Sequence, residues 1–190
     1  MVNKQPDGLI VSLPKLESLI DKSVPKELKG ALFNRDTFAD ARDRQNFSWD
    51  IFDSTHSRSL EVTVRRNPTV ASARKKVRYA ETEIANDHLR RPLNAFDSGP
   101  AHRVPGVADE CVAFDVASIN SVNGVAGDVN YYTQRGRYLE CRVANVDISV
   151  EWIGLNYSKP WSRTIGSGLD RASADQVTQA VVRSIAAVLA

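Results

Sequence analysis

The sequence predicts an α+β protein, a mostly antiparallel sheet covered by helices and laid out as two β-β-α halves. Three observations carry this reading. Two pairs of strands alternate apolar and polar residues, Phe47–Asp53 with Leu60–Arg66 and Tyr138–Val143 with Val146–Ile153. A stretch of helical periodicity follows each pair. Between them runs "RRPLNAFDSGPAHRVPGV", with three prolines and two glycines. The 190 residues are read as one domain, residues 1–190, with halves at about 1–91 and 106–190 joined by a linker over 92–105. A chain of this length buries roughly 70% of the surface it exposes when unfolded, so it needs neither metal nor disulfide to fold.

In order along the chain, Leu13, Leu16, Leu19 and Ile20 recur at helical spacing. "VPKELKGALF" reads as a second short helix with Pro25 near its first turn. "NFSWDIFD" places Phe47, Trp49 and Ile51 on one face of a strand, and "SLEVTVRR" sets Leu60, Val62 and Val64 against Glu61, Thr63 and Arg65. Ala73, Val77, Ala80 and Ile84 form a narrow apolar stripe, which predicts a helix over 70–89. "DECVAFDVAS" reads as a strand. "GDVNYYTQRGRYLEC" reads as a hairpin turning near Arg135-Gly136, and "CRVANVDISVEW" as two strands joined tightly at Ala144-Asn145. Residues 154–170 read as a long loop. The final helix carries a stripe of Val177, Val181, Ile185, Val188 and Leu189, with a capping box at Ser173 and Gln176.

Composition excludes more than it names. No stretch approaches the ~20 apolar residues of a membrane span. Leu9-Ile10-Val11 is too short for a signal-peptide core and is followed by Pro14, so the chain is read either as cytosolic or as a mature region whose leader has been removed. Net charge is +2, but residues 56–91 hold nine Lys and Arg against four acids. Arg65, Arg66, Arg74, Lys75 and Arg78 are therefore candidates for an anionic surface contact. No basic tail and no aromatics interleaved with the basic run are present, which argues against a nucleic-acid partner.

No reaction is legible. The sequence has no glycine-rich phosphate loop, no nucleophile elbow and no nucleotide fingerprint, so it is read as a non-enzyme without cofactor. His56, His88 and His102 are scattered, and Asp109 and Glu110 are adjacent and would point opposite ways in a strand. Cys111 and Cys141 have no second Cys or His at metal-ligand spacing, so no metal site is expected. Cys141 shares a face with Leu139 and Val143, a poor setting for a nucleophile. The two thiols are either free and buried or paired in an oxidising compartment. Residues 154–170 exceed the usual ~4–6 residues of a connection and carry Tyr157 and Trp161. Either Trp161 folds back and caps the sheet edge, or these two, with Trp152 at the end of the strand beneath, form one wall of a binding groove, with Gly166 and Gly168 allowing the loop to move.

"GVADE" before a strand, with Gly106, Asp109 and Glu110, then "CRVANV" with Arg142, Asn145 and Val146, resembles the secreted lipoproteins of actinobacteria. These are the lipoproteins with a G-x-G-D-E-A … V-R-x-G-N-V pattern, the LpqN-like lipoproteins and the extracellular sensor domains of receptor kinases. "FSWDIFD … SLEVTV" is similar to the first strand pair of that group, and the resemblance covers about residues 45–190. The chain departs from it at Phe47, where the group carries cysteine, and at Ala144, where it carries glycine. The resemblance implies a Mog1/PsbP-like sandwich, an extracytoplasmic address in the cell envelope and tethering through a lipid anchor outside these residues. It also implies a Cys111–Cys141 disulfide and a ligand- or protein-binding role toward a small molecule, a cell-wall component or an envelope protein. An enzyme of the hydrolase type with dispersed residues, or a structural interaction module, are the alternatives.

Overall fold

In the computed structural model, residues 4–29, 31–36, 42–84, 100–122, 130–160 and 166–190 are described. The strands are β1 (Leu32–Asp36), β2 (Arg44–Phe52), β3 (His56–Arg66), β4 (His102–Arg103), β5 (Glu110–Val122), β6 (Asn130–Val143), β7 (Val146–Tyr157) and β8 (Gly166–Gly168). They form one sheet in the order β1-β2-β3-β7-β6-β5-β4, and β8 pairs with the far end of β7. Every pairing is antiparallel. The helices are α1 (Glu17–Ser23), α2 (Val70–Tyr79) and α3 (Arg171–Leu189).

β2-β3 is followed in sequence by α2, and β6-β7 by β8 and then α3, and both strand pairs lie in this one sheet. β2-β3 and β6-β7 meet where β3 pairs β7, from His56↔Asn156 to Arg66↔Val146. On one face Phe47, Val62, Leu139, Cys141, Ile148, Val150 and Trp152 pack with Ile20 of α1 and Val181, Val182 and Ile185 of α3. On the other, Val77 and Ala80 pack with Val112, Phe114, Val116 and Ile153. The sheet is therefore covered on both faces.

Several expectations are corrected. The hairpin expected near Arg135-Gly136 is absent, because β6 runs unbroken through both. Glycine is there for closeness: a side-chain carbon at Gly136 would stand 1.8 Å from the Trp152 carbonyl oxygen on β7. "VPKELKGALF" yields only a 3-10 turn at Lys26–Leu28, and its last residues open β1. α3 is capped one turn earlier than expected: Asp170 Oδ2 accepts the Ser173 N–H at 2.8 Å, and a carboxylate there also complements the helix dipole. α2 is followed by a π-helical turn at Ala80–Ile84, and the rest of the expected helix lies outside the described residues. Of the expected linker, residues 100–105 include β4, paired with β5. Residues 154–170 are not all loop, since β7 reaches Tyr157 and β8 begins at Gly166.

Cys111 and Cys141 stand directly opposite in the β5–β6 register and form a disulfide, with Cys141 buried in the core. The residues that carried the resemblance knit the neighbouring turn. Asp109 accepts the Ala144 N–H at 2.9 Å and receives Arg142 Nη1 at 3.2 Å, while Arg142 Nη2 reaches Glu110 at 3.0 Å. Asn145 is buried, donates to the carbonyls of Ile10 and Asn67, and accepts the Ile10 N–H at 2.8 Å. Ala144 has φ 49°, the left-handed region that glycine enters without steric cost.

One buried charge pins α3. Arg137 on β6 is fully buried; its Nε donates to Asp175 at 2.7 Å, and its other nitrogens reach Asp115 and His102. Arg137→Ala would leave Asp175 without its cation and His102 without its donor, while Asp115 keeps Arg171 at 3.4 Å. It is expected to destabilise the fold by about 3 kcal/mol, measured by urea unfolding.

Candidate functional site

A cleft of about 730 Å3 opens between α1, the 3-10 turn and the β1–β2 hairpin. Its wall is apolar: Leu16, Val24, Leu28, Ala31, Phe33 and Trp49. Lys15, Glu17, Asp21 and Lys29 stand at the same cleft with charge of both signs. The β1–β2 register sets Phe33 opposite Trp49, with ring centroids 5.1 Å apart, and Phe47 lies 6.2 Å beyond Trp49. Phe47 and Trp49 are core residues, whereas Phe33 is 38% exposed and offers its ring to the opening.

The opposite wall is held by hydrogen bonds to the sheet and to α3. Gln45 on β2 accepts the Leu16 N–H at 3.3 Å and donates to the Pro14 carbonyl at 2.8 Å. The Ser23 and Ser184 hydroxyls meet at 2.7 Å, joining α1 to α3. Ile20 turns fully inward on α1, while Glu17, Ser18 and Asp21 of the same helix line the cleft.

Of the groove expected from Trp152, Tyr157 and Trp161, the described residues place the first two. Trp152 is 1% exposed and faces the core on the α3 side with Val146, Ile148 and Val150, its neighbours at two-residue spacing on β7. Tyr157 closes β7, its N–H bonded to the Thr55 carbonyl at 2.7 Å. Trp161 lies outside the described residues. Gly166 and Gly168 belong to β8 rather than to a moving loop. A side-chain carbon would stand 1.9 Å from the Asn156 carbonyl oxygen at the first and 2.4 Å from Arg135 Cβ at the second.

Of the basic residues expected to meet an anionic surface, Arg65, Arg66 and Arg74 make ion pairs within the protein. Arg65 reaches buried Asp147 at 3.4 Å, Arg66 pairs with Asp43, and Arg74 Nε donates to Glu110 at 2.7 Å. Lys75 and Arg78 remain exposed on α2. Among the described residues, no group of three or more His, Cys, Asp or Glu side chains could hold a metal ion.

A second feature lies on the polar side of the sheet, toward α2. Register places Glu61 on β3 directly opposite Glu151 on β7, and Glu151 opposite Tyr138 on β6. Glu140, two residues along β6, is 5% exposed. Its Oε2 accepts the Tyr138 hydroxyl at 2.7 Å and the Ser149 hydroxyl at 2.8 Å, while its Oε1 is buried without a partner. Burial pushes Glu140 up to about 7 against the lowering effect of those two hydrogen bonds, and nearby Asp147 adds to the rise. Burial, and then the Glu61 carboxylate, push Glu151 up to about 7 as well. Tyr138 is held well above its ordinary range by burial and by Glu140.

Neither feature was legible in the sequence. Phe33 sat in a segment read as helix, and Glu140 and Glu151 alternate with core residues as solvent-facing side chains do. No protein-family model matches the chain, and no curated protein matches it.

Proposed function

We propose that the chain is a non-catalytic ligand-binding domain of the cell envelope, of lipoprotein or sensor type, whose cleft at β1–β2 receives the apolar body of a small amphiphile. The cleft carries this reading. Its volume falls in the ~300–1,000 Å3 range of small-molecule sites, and it combines an apolar wall with a few polar groups that can orient a head group. A small molecule suits this concave, mixed-charge site better than a cell-wall polymer or a flat protein surface. Helices on both sides of one antiparallel sheet support a Mog1/PsbP-like sandwich. The buried disulfide supports an extracytoplasmic address, because disulfides persist in oxidising compartments. Tethering by a lipid anchor rests on the sequence resemblance. Glu140 is buried and its hydroxyl donors Tyr138 and Ser149 are half-buried on the α2 side of the sheet, away from the cleft.

Phe33→Ser tests the site, because Phe33 is partly exposed and its loss creates little cavity. With 1-anilinonaphthalene-8-sulfonate as amphiphilic probe, the change is expected to weaken saturable one-to-one binding at least tenfold, about 1.4 kcal/mol, with only a small shift in Tm. Undiminished binding would place the probe, and the proposed site, elsewhere.

A further inference from the structure

α2 rests on the sheet through a small contact. It buries Ala73 and Val77, with Ala80 just beyond its end, and Val77 and Ala80 pack on Val112, Phe114, Val116 and Ile153. Near its start Arg74 is tied to Glu110 on β5. Glu140 falls between these two anchorages. Its cross-strand neighbour on β5 is Val112, which packs under Val77, and Arg142 two residues along β6 shares Glu110 with Arg74. The helix thus crosses above a buried carboxyl that has one oxygen without a hydrogen bond.

The surroundings favour the neutral form. Tyr138, Asp147 and Arg65 act on Glu140 directly, and on the same side of the sheet stand Arg142 from β6, Glu151 from β7, Glu110 from β5 and Glu61 from β3, with Arg74 of α2 above Glu110. The three arginines are engaged with other acids: Arg65 with Asp147, Arg142 with Asp109 and Glu110, Arg74 with Glu110. An ionised Glu140 would put a charge beneath the helix with only Arg65, already paired with Asp147, to offset it, and a poorly paired buried charge is far costlier than a buried neutral group.

We propose that Glu140 is a proton-operated latch for α2: with its carboxyl neutral the helix docks, and ionisation loosens it and uncovers the apolar patch of Val112, Phe114, Val116 and Ile153. The elevated proton affinity of Glu140 sets the transition near neutral pH, within reach of a modest acidification outside the cell. This inference does not depend on the β1–β2 cleft.

Amide hydrogen exchange of residues 73–80, corrected for the intrinsic pH dependence of exchange, reads the latch. If opening α2 lets Glu140 release its proton, the opening constant rises about tenfold per pH unit between about pH 5 and 7 and levels off above. Glu140→Gln, neutral at every pH, is expected to flatten this rise and keep α2 protected at pH 8. A flat profile in the wild type, or an equal slope in E140Q, overturns the proposal. Should E140Q fail to fold, the side-chain carboxyl of Glu140 is titrated by carbon NMR in the wild type. A midpoint matching the end of the α2 rise supports the latch, and one more than a pH unit away overturns it.

Discussion

Raising the pH from about 5 to about 8 is expected to destabilise this protein by several kcal/mol. Glu140 and Glu151 bind their protons up to about pH 7 in the folded protein, against an ordinary value of 4.5. Below about pH 4.5 both states hold these protons, and the stabilisation relative to the ionised form is complete. Between the two values the folded protein keeps protons that the unfolded chain has released, so each step up in pH favours unfolding until the folded groups ionise near 7. At roughly 1.4 kcal/mol per pH unit, each carboxyl contributes on the order of 3 kcal/mol. Glu110 acts in the opposite sense: despite its partial burial, Arg142 and Arg74 hold it below its usual range, so its contribution is lost as the solution turns more acid. Maximum stability is therefore expected near pH 5. Urea unfolding at pH 5, 6, 7 and 8 checks this. A flat or rising series would mean that the two carboxyls are hydrated in the folded protein.

Replacing both Cys111 and Cys141 by alanine is expected to remove roughly 3–4 kcal/mol, the chain-entropy value for a closed loop of this size. The two residues are 30 apart in sequence and directly opposite in the β5–β6 ladder, so the crosslink closes the long hairpin at its base. The unfolding midpoint should fall to the same level when the wild type is fully reduced. If reduction leaves the midpoint where it was, the ladder alone holds the two strands.

The sheet was legible where one face of a strand is apolar and the other polar. β3, with Leu60, Val62 and Val64 against Glu61 and Thr63, and the Ala144-Asn145 turn are the clearest instances. What escaped had physical reasons. Gly136 reads as a turn residue from its conformational freedom, yet it is required for close strand approach, which depends on a partner 16 residues away. Trp152 reads as an aromatic at a strand end, yet its place in the register puts it under α3. The polar residues of β6 and β7 read as solvent-facing, because alternation cannot reveal that a second helix covers the polar face. The cleft is less legible still: Leu16 and Leu28 come from a helix flank and a 3-10 turn, and Phe33 and Trp49 meet only through the β1–β2 register.

The claim that this fold presents an amphiphile-binding cleft at β1–β2 is tested most directly by amide and indole shift mapping. 1-anilinonaphthalene-8-sulfonate would be titrated into the oxidised protein at pH 5, where the fold is expected to be most stable. Saturable shifts centred on Leu16, Val24, Leu28, Ala31 and Phe33 and on the Trp49 indole are the predicted result. Shifts confined to another surface, or none that saturate, would contradict it.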